Sequence, residues 1–361
     1  MGRKILFATV LVVTGLAAAV IFGLLIPGGM FRTIKPHFQG TIEKMEVPVA
    51  GPEDITIDPQ TGLAFISADD RRANLKNPGS RKGALFLMNL NDSVATLQDI
   101  TPRALEDFHP HGISSWHEPD GRLLLFVINH RQIEVTHVVE RFEWRNDTLV
   151  HLESIADSVL MTSPNDIVAV GERSFYVTND HYYAKRGLSR MLEDYLQRSI
   201  AYVNYFDGST FRVAAEGIAY PNGIAASPDG TEIYVASSTG RKLLIYHRDG
   251  TTGTLVLDQT LNVGTGPDNI EVDESGSLWI GCHPQLLRFA AHAKDPAAHS
   301  PSQVIRLVPD GQRNYSIEEV FLNDGTSYSG SSVAAVYRHT MLIGSVFENS
   351  ILFCSLNTVS E

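Results

Sequence analysis

One short layout recurs six times along this chain: one or two polar residues, an aliphatic run, a turn, and a second β-rich run. It is first seen at Glu53-Asp54-Ile55, followed by the turn Asp58-Pro59-Gln60-Thr61-Gly62 and the run Leu63 to Ser67. It returns at His111-Gly112-Ile113, Asn165-Asp166-Ile167, Asn222-Gly223-Ile224 and Asp268-Asn269-Ile270, and more faintly at Ser331-Ser332-Val333. Counted from Asp54 through His111, Asn165, Asn222, Asp268 and Ser332, the spacings run from 46 to 64 residues. Four short strands bounded by Gly, Pro, Asp and Asn fit that length, and such self-similarity marks a β-propeller. Six units fill residues 40–361. The chain therefore reads as all-β, a six-bladed propeller over 29–361 with one N-terminal appendage over 1–28. An open propeller would expose a strand edge, so Ile42 to Val47 is expected to close the ring against Ser350 to Leu356.

Two segments break the β pattern. Ile5 to Ile26 are 22 consecutive uncharged residues, preceded by Arg3-Lys4 and ended by Pro27-Gly28-Gly29. As a helix they reach roughly 33 Å, enough to span a bilayer. A cleaved signal has a shorter apolar region, and the small run Ala17-Ala18-Ala19 lies inside this one, so the expectation is an uncleaved transmembrane signal anchor. The two charges at the start favour a cytoplasmic N-terminus, which puts the propeller outside the cytoplasm, in a secretory lumen, the periplasm or the extracellular space. The second exception is Ala184 to Ile200, where Leu188, Met191, Leu192, Tyr195, Leu196 and Ile200 recur at helical steps. Such an amphipathic helix is either a lid or membrane-facing element, or packs onto the propeller.

The formal net charge is −12, and −14 without Arg3 and Lys4, so phosphate backbones are repelled and nucleic acid is excluded as a partner. That acidity has a place to concentrate. In a propeller the innermost strands line a central channel, so the first polar residues of successive repeats become neighbours: Glu53 and Asp54, His111, Asn165 and Asp166, Asn222, Asp268 and Asn269, then Ser332. Taken singly, an Asp or Asn before an aliphatic run is an ordinary strand-end residue. Repeated in five units around one axis, carboxylates and amides would repel or stay unsatisfied without a cation. Calcium takes six to eight oxygen ligands and matches carboxylate plus amide oxygens, whereas zinc prefers His and Cys.

These stretches also carry a resemblance. Glu53-Asp54 with Gly62 to Ser67, Pro110-His111-Gly112-Ile113-Ser114, Val127-Ile128-Asn129-His130, Asn165 to Gly171, Thr178-Asn179-Asp180-His181-Tyr182, Asn222-Gly223-Ile224, Asp268-Asn269-Ile270, Trp279 to Pro284 and Ser345-Val346-Phe347 stand in this order. In that order the chain resembles the paraoxonase family of calcium-dependent lactonases and arylesterases, over almost all of residues 40–357. The resemblance implies two calcium ions per chain. A catalytic one would be held by Glu53, Asn165, Asn222, Asp268 and Asn269, and a structural one by Asp54, Asp166 and the backbone carbonyl of Ile113. It implies His111 and His130 as the catalytic histidine pair, and Tyr220, His283, Ser332 and Val346 as pocket lining. It also implies a ring-closing disulfide whose late cysteine is Cys354 and whose early one falls near Ile42. No partner cysteine stands there, and Cys282 matches a position that stays free, so two thiols are expected. Asp69-Asp70-Arg71-Arg72 and the loop from Ala73 to Lys82 depart from the family's pocket rim.

The expected chemistry is carboxylic ester hydrolysis. Calcium polarises an ester or lactone carbonyl, and His111, assisted by His130, takes a proton from the attacking water. No Gly-x-Ser-x-Gly elbow is present for a serine nucleophile. The competing readings are a related six-bladed sugar lactonase with another divalent metal, a strictosidine-synthase-like propeller, and a membrane-anchored calcium-binding propeller without catalysis. Sequons at Asn91, Asn146 and Asn314 permit glycosylation along a secretory route.

Overall fold

The computed structural model describes residues 20–185 and 187–357, together with positions 5, 7, 9, 10, 13–15 and 18. The described strands form six antiparallel sheets, five of four strands and one, blade 5, of five, with the strands in sequence order from the axis outward except where an N-terminal strand joins the edge of blade 5 or closes blade 6. Their innermost strands are Pro52–Ile57, Pro110–His117, Pro164–Ala169, Pro221–Ala226, Gly266–Val272 and Ser331–Tyr337. These are the six repeats read from the sequence, including the faint sixth.

Alternation within each strand builds the core. In Leu63–Ala68, the second strand of blade 1, Ala64, Ile66 and Ala68 pack against Val333, Leu342 and Ile351 of blade 6, while Phe65 turns the other way to Leu125, Val127 and Phe142 of blade 2. Successive side chains leave opposite faces of a sheet, so a strand buried on both faces must be apolar throughout. The same sharing recurs between every adjacent pair of blades. Phe126, fully buried between blades 2 and 3, is representative; truncation to Ala should cost about 3–5 kcal/mol.

Closure follows the expected route. Gly40–Glu46 pairs antiparallel with Ser350–Leu356 as the outermost strand of blade 6, and Ile42 stands opposite Cys354. The chain then adds a fastening that the sequence did not reveal, since His37–Phe38 pairs with Tyr315–Asn323 at the edge of blade 5. Cys282 and Cys354 are both free and buried. Burial pushes the Cys354 thiol up to about 12, so it is unreactive at neutral pH.

Three helices, Arg71–Lys76, Leu188–Tyr195 and Leu286–Lys294, interrupt the links from second to third strand in blades 1, 3 and 5. Those links leave from the end of the propeller where the innermost strands begin. The middle helix is shorter than the periodicity over Ala184 to Ile200 suggests. It also seats itself by its polar side: Glu193 is buried and accepts the Tyr182 amide (2.8 Å), whereas Leu188, Met191, Leu192, Tyr195 and Leu196 are exposed.

The expectation of a membrane-spanning helix over 5–26 is not met among the described residues, none of whose helices is long and apolar enough to cross a membrane; several positions of that stretch lie outside them. There the described positions up to Val20 are helical, and the wide turn Ile21–Leu25 follows, with the Ile26 amide donating to the Ile21 carbonyl (2.9 Å). Beyond it the backbone is seated on the propeller. The Pro27 carbonyl accepts from Arg241, the Gly28 carbonyl accepts the Leu286 amide (3.0 Å), and the Arg32 carbonyl accepts from Gln285 (2.9 Å).

Candidate metal centre and active site

The polar ring owes its geometry to a bulge repeated in every blade. Five innermost strands carry Pro, two variable residues and Ile: Pro52 to Ile55, Pro110 to Ile113, Pro164 to Ile167, Pro221 to Ile224, and Pro267 to Ile270. In each, pairing with the second strand slips immediately after the proline. Proline near a strand's start costs little of the ladder, and a bulge re-aims the residues it releases. The first positions after the proline are Glu53, His111, Asn165, Asn222 and Asp268, and the second are Asp54, Gly112, Asp166, Gly223 and Asn269, of which Asp54 already pairs again, opposite Ser67. The glycines are steric necessities: a Cβ at Gly112 would collide with Asp166, and one at Gly223 with the Asp268 carbonyl.

Glu53, Asn165, Asn222, Asp268 and Asn269 are all buried. Each amide nitrogen has an acceptor: Asn165 donates to Asp180 (3.4 Å), Asn222 to Asp268, and Asn269 to Glu53 Oε1 (3.1 Å) and the Glu53 carbonyl (3.2 Å). The Oδ1 atoms of the same three asparagines have no hydrogen-bond partner. A buried acceptor left unmade costs about 1–3 kcal/mol. Three such oxygens beside two carboxylates are the donor set of a hard cation, so the residues present fit calcium. Groups of three or more His, Cys, Asp and Glu placed to hold a metal are absent among the described residues, which leaves the amide oxygens an essential part of this set.

The electrostatics agree. Burial and the Glu53 charge push Asp54 well above the usual carboxylate range, burial and Asp54 do the same to Asp166, and burial raises Asp268 despite His283 at 2.8 Å. Burial would raise Glu53 too, but His111 and Arg71 beside it bring it down to about 2. Asp54 and Asp166 are bound alike: Asp54 accepts the Ile55 and Ile113 amides (2.9 and 2.7 Å), and Asp166 the Ile167 and Ile224 amides (both 2.7 Å). Ile113 thus meets Asp54 through its N–H, whereas the sequence reading assigns its carbonyl to the ion.

His111 lies on the rim of this layer. Its Nε2 is 3.3 Å from Glu53 Oε2, and its Nδ1 is 2.7 Å from His130 Nε2.

The profile of the arylesterase family matches residues 31–356. The chain belongs to the arylesterase family. It is 37% identical over 314 residues to human serum paraoxonase/arylesterase 1, covering 85% of this chain and 86% of that protein. It is 35% identical over 317 residues to human serum paraoxonase/arylesterase 2, with the same coverage. Among solved structures, a gluconolactonase from Xanthomonas campestris superposes with a TM-score of 0.52 at 15% identity, over 90% of this chain and 99% of that one, a likeness of fold.

Around the arylesterase-family site, the four positions read as pocket lining are placed differently from one another. His283 Nε2 holds Asp268, and its ring stacks on Phe289 at 3.6 Å. Tyr220 packs edge-on against His181 (4.8 Å). Ser332 is fully buried and donates to the Glu53 carbonyl (2.6 Å), so it braces the ring. Val346 follows the second strand of blade 6 and is half-buried, its amide on the Gly330 carbonyl (3.2 Å). Two contributors escaped the sequence reading. Arg71, from the divergent Asp69 to Arg72 segment, reaches Glu53 at 3.1 Å. His137 lies 2.8 Å from His130, Nδ1 to Nδ1. Two histidines flanking a short hairpin turn were the available signal for the second; the first has none.

Proposed function

We propose that the chain is a calcium-dependent hydrolase of lactones and aryl esters. The observation that carries this reading is the trio of unpartnered buried amide oxygens, on Asn165, Asn222 and Asn269, beside a carboxylate that also faces His111 Nε2. Glu53, Asn165, Asn222, Asp268 and Asn269 would hold a calcium ion, which would supply Lewis acidity to a substrate carbonyl. A second ion at Asp54, Asp166 and Ile113 would tie blades 1 to 3 together. His111 Nε2 accepts the proton of the water that adds to the carbonyl carbon. When the bond to the leaving oxygen breaks, the same nitrogen returns a proton to it. His130, hydrogen-bonded to Nδ1, keeps the Nε2 lone pair turned to the site.

A lactone and aryl-ester panel on the full chain tests this, with calcium and with chelator. Turnover that calcium restores after chelation supports the reading, and undiminished turnover without calcium overturns it. Metal analysis of chain purified without chelator should find two calcium ions.

We also propose that the face carrying the helices lies against a membrane, with the propeller outside the cytoplasm and its sequons open to glycosylation. Support comes from the exposed Phe22, Ile26 and Phe31, and from the exposed apolar stripe of Leu188–Tyr195. Gln197, just beyond that helix, reaches the Gly23 carbonyl (3.4 Å). Deleting residues 1–28 should move the protein from the membrane fraction toward the soluble one with its hydrolysis retained; a chain already soluble at full length overturns this reading.

A further inference from the structure

We propose that His137 is the outer member of a three-histidine relay that carries the proton taken by His111 away from the metal centre and returns it for the leaving group. The proposal rests on the hydrolytic reading above.

Three imidazoles stand in line. His111 Nδ1 meets His130 Nε2 at 2.7 Å, and His130 Nδ1 meets His137 Nδ1 at 2.8 Å. The line is built into the backbone. His130 and His137 are direct cross-strand partners between Leu123–Arg131 and Thr136–Arg145, so their side chains leave the same face side by side. Asp107 pins the turn between them, accepting the amides of Gln132 (2.9 Å), Ile133 (2.9 Å) and Glu134 (3.4 Å). His111 is turned toward His130 by the bulge between Pro110 and Ile113. Of the three rings, His137 is outermost and half-buried.

A neutral imidazole has one donor and one acceptor nitrogen, so three in a row can be oriented alike. With His111 Nε2 free to receive a proton, His111 donates from Nδ1 to His130, His130 donates from Nδ1 to His137, and His137 keeps its proton on Nε2. When His111 Nε2 takes a proton from the attacking water, each ring passes one outward, and His137 holds both nitrogens protonated. As the tetrahedral adduct collapses and its bond to the leaving oxygen breaks, the shifts reverse and His111 Nε2 delivers a proton to that oxygen. No proton is lost and all three rings are restored. The relay moves the positive charge two rings outward, to the half-buried end of the line.

The charged groups that act on His137 are Asp180, which favours its cation, and Arg190 and His111, which oppose it; His130 is the remaining titratable neighbour. Burial lowers the pKa of both His130 and His137, which favours their neutral forms between turnovers.

The test is His137→Phe, with His137→Gln as the more conservative companion, in the full calcium-loaded chain. The expected result is a kcat on aliphatic lactones lowered about tenfold, below the about 10²–10⁴-fold typical of losing a general base, with KM unchanged. Added imidazole should restore part of the loss, and phenyl esters, whose leaving group needs no proton, should be spared. Nitrogen-15 NMR of the histidine rings gives a readout independent of turnover. His130 should carry its proton on Nδ1 in the wild type and lose that preference in the Phe variant. Equal losses on both substrate classes without imidazole rescue, unaltered kinetics in folded variants, or His130 protonated on Nε2 in the wild type would each overturn the relay. A wild type inert on every ester and lactone would overturn the hydrolytic reading and the relay together, whereas an active wild type with a fully active His137→Phe overturns the relay alone.

Discussion

Ile42 and Cys354 face each other directly across the antiparallel pair that closes the ring. Directly opposed residues in such a pair have Cα atoms about 4.5–5.5 Å apart, within the range a disulfide spans. Ile42→Cys should therefore form a bond with Cys354 under oxidising conditions and raise stability by about 2–4 kcal/mol, because it cross-links almost the whole chain. Intact mass before and after reduction, with thermal unfolding of both forms, reads this out. Two persistent thiols in the oxidised variant would show that the strands splay at this point.

The roles of metal and base separate by substrate. Asn269→Ala removes one of the three unpartnered amide oxygens and frees the Glu53 carboxylate it binds, so it should depress turnover of lactones and aryl esters alike. His111→Gln leaves the oxygen set intact and should lower lactone turnover by about 10²–10⁴-fold while sparing phenyl esters. Kinetics of both variants at saturating calcium decide the matter. Matching small losses on both substrates for His111→Gln would remove it from the base role.

Stability in chelator should fall as pH rises. Asp54, Asp166 and Asp268 have folded-state pKa values raised above the unfolded 3.8, chiefly by burial. Their contribution is complete below about 4 and is lost as pH climbs through the raised values, because the native state holds protons that the unfolded chain has released. Glu53, brought down to about 2, has the opposite sign, losing its contribution as pH falls below 4.5 toward 2, but it is one group against three. Added calcium should flatten the profile. Melting curves from pH 4.5 to 8 with and without calcium measure both effects, and a chelated chain that gains stability across that interval would contradict the argument.

His181 fastens the Leu188–Tyr195 helix, with Nδ1 on Asp180 (2.6 Å) and Nε2 on Asp194 (2.7 Å). Burial alone would lower its pKa, but the two carboxylates lift it to about 9. The stabilisation is complete below 6.5, the unfolded value, and lost as pH rises through about 9. Amide exchange of residues 188–195 should accelerate between pH 7 and 9.5 beyond the intrinsic rate, and His181→Gln should show the fast exchange at both. Equal protection at both pH values in the wild type would mean that other contacts hold the helix.

The sequence alone determined the number of blades, their boundaries and the ring of polar residues, since these follow from contiguous stretches of chain. A two-residue alternation sets which side chains are buried on which face, and Pro, two polar or small residues and Ile place a bulge wherever they occur. The ring-closing strand was legible for the same reason, as an unpaired β segment at one end matching an exposed edge at the other. Only the tertiary structure decided what each polar residue touches. Asn269 donates to Glu53 across a separation of 216 residues, Arg71 swings from a divergent loop onto that carboxylate, and Ser332 donates to the Glu53 carbonyl. The helix inside blade 3 was visible as a period, but Glu193 and Asp194 dock it by hydrogen bonds and leave its apolar stripe outward. His137 joins His130 only because a hairpin register puts them opposite. Local patterns are encoded by neighbouring residues and can be read without the fold, whereas contacts between blades exist only once ring closure has brought distant strands around a common axis.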